Sequence, residues 1–199
     1  MTTLRWTAPP GIRGLIFDCD GTLADTMPAH HRAWVAMLQP HGIPFPEDRF
    51  YAMGGMPTAQ IIRVLAAGAG VAVHDVEAMV HEKERLFLQM LDAVQPIVPV
   101  VAIANAYRNV LPMAVASGGY RDVVGRTLDR LQLRAWFQAM VTAEDTQRHK
   151  PEPDVFLEAA RRLAVPPAAC AVFEDTELGL EAARRAGMLG LDVRPWGKL

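Results

Sequence analysis

The stretch Gly14-Leu15-Ile16-Phe17-Asp18-Cys19-Asp20-Gly21-Thr22-Leu23-Ala24-Asp25-Thr26 runs from an apolar segment straight into two carboxylates separated by one residue. A short apolar run bounded by Gly14 and by an Asp-x-Asp-Gly turn predicts a buried strand, and in parallel α/β sheets functional groups gather at the carboxyl ends of strands. Asp18 falls at that edge. Because Gly21 lets the chain turn at once, Asp18 and Asp20 can approach one reacting group from two directions. Two adjacent carboxylates repel unless a cation intervenes, and a hard oxygen ligand set suits Mg²⁺, commonly beside a substrate phosphate. A carboxylate is also able to attack phosphorus and carry it as an aspartyl-phosphate. Taken alone, the tetrapeptide reads equally well as a plain turn.

Working outward, the region after Thr26 predicts helices. Pro28 suits the first turn of a helix running to about Gln39, with Ala33, Trp34, Met37 and Leu38 on one apolar stripe. Pro40, Gly42, Pro44 and Pro46 break it. Further helices are expected at 58–67, capped by Thr58, and from Asp75 to about Leu91, capped by Asp75. No strand is expected in residues 28–93. Pro96 to Val101 reads as a Pro/Val-rich connector.

Beyond Pro112 the texture changes. Met113-Ala114-Val115-Ala116 ends on Ser117-Gly118-Gly119, Ala139-Met140-Val141 ends on Thr142, and Ala171-Val172-Phe173 ends on Glu174-Asp175. Helical patterns lie between them, Arg121 to Leu131, Pro153 to Leu163 and Glu177 to Ala186, and Leu189 to Val193 suggests a last strand. Alternating strand and helix implies a parallel sheet with right-handed crossovers, interrupted after its first strand by the all-helical segment. The expected organisation is a catalytic core of residues 1–27 and 94–199 with a helical cap of residues 28–93.

Composition narrows the partners. With 199 residues, 51% hydrophobic, 21% charged and a formal net charge of -2, the chain affords a sizeable core and no basic field for nucleic acid. Cys19 and Cys170 lie in apolar surroundings without a CxxC pair, which predicts free buried thiols in a reducing compartment. Met1 to Pro10 lacks the apolar centre of a secretory leader, and no stretch approaches about 18 uninterrupted apolar residues. The expectation is a cytoplasmic monomer acting on a small molecule, with neither membrane nor nucleic acid as partner.

Each strand end makes chemical sense by itself. Ser117 offers a hydroxyl, and Gly118 and Gly119 let backbone N–H groups approach a phosphate oxygen. Lys150, between His149 and Pro151, supplies a compact charge for Asp18 and for the equatorial oxygens of a phosphoryl group in flight, although a solvated surface lysine is the ordinary fate of the residue type. Glu174 and Asp175 add the acids that a magnesium ion needs beyond the first strand; alternatively they merely favour the N-terminus of the next helix.

Together, Asp18-Cys19-Asp20-Gly21-Thr22, Ser117-Gly118, Lys150-Pro151-x-Pro153-Asp154 and Glu174-Asp175-x-x-x-Gly179 resemble, in order and spacing, the four motifs of the haloacid dehalogenase-like superfamily. The chain is most similar to its β-phosphoglucomutase branch and, within that, to bacterial fructose-1-phosphate phosphatase-like members. The resemblance implies a Rossmann-like core with a small helical cap. It also implies a Mg²⁺ site using the Asp18 side chain, the Asp20 backbone carbonyl, Asp175 directly and Glu174 directly or through water. Asp18 is then the nucleophile, Lys150 the motif lysine, and Asp20 the acid that protonates the leaving oxygen and the base that activates water. Haloacid dehalogenases proper lack this second aspartate, so its presence argues for phosphate chemistry.

In the cap, His30 and Lys83 sit where the mutase has a hinge histidine and a substrate lysine, and the loop Met53-Gly54-Gly55-Met56-Pro57-Thr58 resembles the specificity loop, with Gly54, Gly55 and Thr58 near substrate. A lone His or Lys on a helix is more often solvated, and the loop could be a plain turn. Pro57 stands where the mutase has an arginine that grips a second phosphate. That departure favours hydrolysis of a small sugar phosphate, fructose-1-phosphate first, over a β-phosphoglucomutase. A non-catalytic protein that senses a phosphorylated ligand is the third possibility.

Overall fold

The computed structural model describes residues 6–196; the reading of residues 1–10 as leader-free falls partly outside them. In chain order the elements are β1 (Gly14–Phe17), β2 (Ala24–Asp25), α1 (Met27–Leu38), α2 (Glu47–Ala52), α3 (Thr58–Ala69), α4 (Val76–Leu88), β3 (Gln95–Pro96) and α5 (Val98–Tyr107). They continue with β4 (Met113–Ala116), α6 (Arg121–Arg130), β5 (Ala139–Val141), α7 (Asp154–Leu163), β6 (Cys170–Glu174), α8 (Glu177–Arg185) and β7 (Leu189–Asp192). The chain divides into two compact units, Met1–Asp25 with Gln95–Leu199, and Thr26–Val94.

The first unit is built on a five-stranded sheet of order β5-β4-β1-β6-β7, every pairing parallel. Register places Phe17, the last residue of β1, beside Val115 and Phe173, the next-to-last residues of β4 and β6, so the three central strands end within one residue of the same level. Side-chain alternation gives the sheet two apolar faces. Leu15, Phe17, Val115 and Phe173 pack with Val100, Ile103 and Ala104 of α5 and Val124 and Leu128 of α6. Ile16, Ala114, Ala116 and Val172 pack on the other side with Phe156, Ala159 and Ala160 of α7 and Ala182 and Ala183 of α8. Phe17 and Phe173 stack with centroids 4.5 Å apart. This is the three-layer α/β arrangement expected, and β1 is its centre.

Three local expectations are corrected. The connector 96–101 is the short strand β3, paired antiparallel with β2 (Ala24 to Pro96, Asp25 to Gln95), followed by the first turn of α5. Pro99 is tolerated there because the first helical turn has N–H groups with no partner to lose. Thr58 is not a cap: Pro57 is, through its carbonyl, which accepts from Gln60 N at 2.9 Å and Ile61 N at 3.1 Å, and Thr58 is the first helical residue. Glu47–Ala52 is a further short helix that the surrounding prolines obscure.

The second unit is helical, as expected. Asp75 caps α4 by accepting from Ala78 N at 2.8 Å, and α4 ends at Leu88 rather than Leu91. Helix α1 buries Ala33, Trp34 and Met37, and packs against α4, which buries Met79, Val80 and Phe87. Both cysteines are free and buried. Among the described residues, no helix is long and apolar enough to cross a membrane.

Candidate active site

In the first unit the carboxyl ends of β1, β4 and β6 converge with the loop before α7. Asp18 follows β1 directly and its N–H still pairs with Phe173 O at 3.0 Å, so the sheet fixes its backbone. Glu174 is the last residue of β6 and is fully buried. Lys150 comes from the loop before α7, in a cis Lys150–Pro151 peptide. Its Nζ donates to Asp18 Oδ1 at 2.7 Å and to Glu174 Oε2 at 2.6 Å, and lies 5.0 Å from the Phe156 ring centroid. A lysine 8% exposed among such partners is not the solvated residue its type usually is.

Carboxylate oxygens of Asp18, Glu174 and Asp175 lie within 4.8 Å of one another. Three buried or half-buried carboxylates beside one ammonium leave two negative charges uncompensated when all are ionised. Burial raises the pKa of Asp18 well above its ordinary value; Lys150 opposes this, while Glu174, Asp175 and Asp20 add to it. Burial, then Glu174, pushes Asp175 up to about 7. Burial would lower Lys150, but Asp18 and Glu174 outweigh it and hold its pKa above the ordinary lysine value. An acid set strained in this way, all oxygen donors, fits a hard divalent cation.

The acids are positioned by residues of the same motifs, through contacts the sequence does not display. Thr22 donates its hydroxyl to Asp175 Oδ1 at 3.2 Å. Gly21, at φ 76°, lies so close that a Cβ there would collide with the Asp175 carboxylate. Glu174 Oε1 accepts from Asp175 N (3.2 Å), Thr176 N (3.0 Å) and Thr176 Oγ1 (2.7 Å), so both Glu174 oxygens are engaged. A Cβ at Gly179 would collide with the same carboxylate, so α8 can meet β6 here only through glycine.

After β4, buried Ser117 accepts Gly119 N on Oγ at 3.0 Å, closing a tight turn. A Cβ on Gly119 would lie 3.3 Å from Ser117 Oγ and 3.5 Å from Asp20 Oδ2, which brings Asp20 beside this loop. Gly119 O accepts from Ala143 N at 3.1 Å. Arg121 ties the loop's far end, its N–H to Glu144 (2.9 and 3.1 Å) and its guanidinium to Asp145 (2.7 Å). The Thr142-x-x-Asp145 spacing, a capping box in the structure, is the one sequence signal for this brace.

In the helical unit, His30 and Lys83 meet: Lys83 Nζ lies 3.0 Å from His30 Nδ1, and His30 stacks on Phe87 with centroids 3.8 Å apart. An ammonium only donates, so Nδ1 accepts and the ring proton sits on Nε2. Both residues are buried. Gly54 and Gly55 form the turn between α2 and α3, Gly55 with φ 83°, and Thr58 opens α3.

The haloacid dehalogenase-like hydrolase family model matches residues 12–187, spanning the three strand ends and the Lys150 loop. The chain belongs to that family. As a haloacid dehalogenase-like hydrolase it is a phosphoric monoester hydrolase. It is 40% identical over 182 residues to the fructose-1-phosphate phosphatase YqaB of Escherichia coli, covering 91% of this chain and 96% of that one. It is 30% identical to the phosphorylated carbohydrates phosphatase of Thermotoga maritima, covering 89% and 82%. A β-phosphoglucomutase of Clostridium difficile superposes with a TM-score of 0.81 at 21% identity, over 91% and 84%, which establishes the shared fold.

Proposed function

We propose that this hydrolase is a Mg²⁺-dependent phosphatase of a small sugar phosphate, with fructose-1-phosphate as the leading substrate and Asp18 as the group that takes the phosphoryl. The observation that carries the reading is the Lys150 ammonium held between Asp18 and Glu174 with Asp175 alongside. Asp18, Asp175 and the Asp20 carbonyl would hold the metal, with Glu174 acting through water because its oxygens are already engaged. Bound there, Mg²⁺ supplies positive charge to the acids and to a phosphoryl oxygen.

The remaining chemistry belongs to the side chains. Lys150 fixes Asp18 by Oδ1, leaving Oδ2 to attack phosphorus, and shares the charge that develops on the equatorial oxygens. The Ser117 hydroxyl and the Gly118 N–H receive those oxygens, with Gly119 closing the turn through its N–H to Ser117 Oγ. Asp20, beside that loop, gives a proton to the departing sugar oxygen and later takes one from the water that cleaves the acyl-phosphate. In the cap, Lys83, His30 and the loop of Gly54, Gly55 and Thr58 select the sugar. The 40% identity to a fructose-1-phosphate phosphatase supports this substrate class, and Pro57 at the start of α3 supports hydrolysis over phosphate retention.

The test is phosphate release over a panel of phosphorylated metabolites with and without Mg²⁺, β-glucose-1-phosphate included. Release from sugar phosphates only with the metal is expected. Conversion of β-glucose-1-phosphate to glucose-6-phosphate without release would make the protein a mutase, and absence of turnover on p-nitrophenyl phosphate would leave a binding protein.

A further inference from the structure

Asp145 gathers four donors on one carboxylate. Its Oδ2 accepts from Thr142 N at 2.9 Å, Thr142 Oγ1 at 3.0 Å and the Arg121 guanidinium at 2.7 Å, and its Oδ1 accepts from Arg162 Nη2 of α7 at 2.6 Å. The side chain is only 11% exposed, and hydrogen bonds to a shielded charge are the strong ones. Together these bonds close the turn of residues 142–145 after β5, and that turn grips the Ser117 loop at two points. Ala143 N donates to Gly119 O at 3.1 Å, and the Glu144 carboxylate accepts Arg121 N at 2.9 and 3.1 Å. Gly119 in turn donates its N–H to Ser117 Oγ at 3.0 Å. A hydroxyl oxygen that accepts there keeps its own proton for a different acceptor.

We propose that Asp145 is a positioning residue for phosphate: through the 142–145 turn it holds Gly119 and Arg121, and so keeps the Ser117 hydroxyl and the Gly118 N–H aimed at the phosphoryl oxygens. The inference deepens the phosphatase reading and rests on it. Two consecutive glycines give the loop no stiffness of its own, so its shape depends on what grips its ends. Donors fixed in advance stabilise developing charge without having to reorganise, and small misplacements of such groups are costly in rate. The group served is the phosphoryl, which every substrate carries. Asp145 therefore acts on phosphate affinity and turnover and does not choose among sugars.

The experiment measures, with Mg²⁺ present, kcat/KM for p-nitrophenyl phosphate and fructose-1-phosphate and the inhibition constant of inorganic phosphate. The proteins are the wild type, Asp145→Asn, Thr142→Val, Ser117→Ala and Ile103→Val, each checked for folding by circular dichroism. Asp145→Asn should raise the inhibition constant by about fivefold or more, the size of one hydrogen bond, and lower kcat/KM for both substrates by one common factor. Thr142→Val keeps the volume, removes a single donor to Asp145 and should move the same constants the same way by less. Ile103→Val opens a small cavity in the core under α5 and should lower the unfolding midpoint while leaving all three constants unchanged, the pattern that a purely structural Asp145 would show. Wild-type constants in folded Asp145→Asn and Thr142→Val, with Ser117→Ala impaired, would overturn the role of Asp145 and leave the phosphate loop standing. Unequal losses on the two substrates would overturn it too. Wild-type constants in Ser117→Ala would overturn the loop reading first and this inference with it.

Discussion

Lys150 Nζ donates to Asp18 Oδ1 at 2.7 Å across 132 residues of sequence, and the same nitrogen reaches Glu174 Oε2 at 2.6 Å. The lysine therefore counterbalances buried acids. Breaking a buried pair by removing one partner costs about 3–5 kcal/mol, because the remaining charge is left uncompensated. Lys150→Met is expected to lose turnover and to unfold at markedly lower urea, with Mg²⁺ restoring part of the stability. Urea unfolding with and without the metal checks this, and a wild-type midpoint in the variant would contradict it.

The acid cluster makes a second prediction. Chelation should remove activity and lower the melting temperature, and Mg²⁺ should restore both, whereas Ca²⁺, whose larger and looser shell does not hold octahedral geometry, should fail to restore activity. Asp175→Ala should need more Mg²⁺ for the same thermal shift or abolish turnover. Full activity in excess chelator would refute the metal role.

In the brace behind the Ser117 loop, Asp145 gives a pH dependence. Burial would raise its pKa, but hydrogen bonds from Arg162, Arg121 and Thr142 prevail and hold it well below the usual carboxylate range. With the folded pKa depressed, the stabilisation is present above the unfolded value of about 3.9 and is lost as pH falls through the folded one. Asp145→Asn should therefore destabilise clearly at pH 7 and much less near pH 2. Unfolding free energies at both pH values decide it; an equal penalty at each would assign the effect to packing.

The core was legible because buried parallel strands leave a plain signal, short apolar runs cut off by turn residues, and three of the four candidate motifs sit at those cuts, the Lys150 motif lying in the loop before α7. What escaped has physical reasons too. A two-residue pair such as β2 and β3 has no periodicity to read, and α5 hid behind Pro99, a breaker in a helix interior but not in a first turn. Thr58 has the residue type of a cap, whereas the capping carbonyl is that of Pro57. The Thr22 hold on Asp175 spans 153 residues, and the Lys83–Glu84 contact runs against the divergence of helical neighbours. Neither kind of contact is written in local pattern.

Pro57 and Lys83 carry the cap prediction. Lys83→Ala should weaken use of sugar phosphates far more than of p-nitrophenyl phosphate, and Pro57→Arg, which adds a cation at the start of α3, should tighten binding of bisphosphates. Equal losses on both substrates for Lys83→Ala would mean that the lysine only holds His30 and Glu84 in place.

The central claim is that Asp18 takes the phosphoryl of a sugar phosphate. The most direct measurement is the rate of inorganic phosphate release from fructose-1-phosphate with Mg²⁺, for the wild type and for Asp18→Asn shown by circular dichroism to be folded. Steady release by the wild type and none above background by the variant are expected, because the amide keeps the shape of the carboxylate without its nucleophilicity. Release by Asp18→Asn within tenfold of wild type would contradict it.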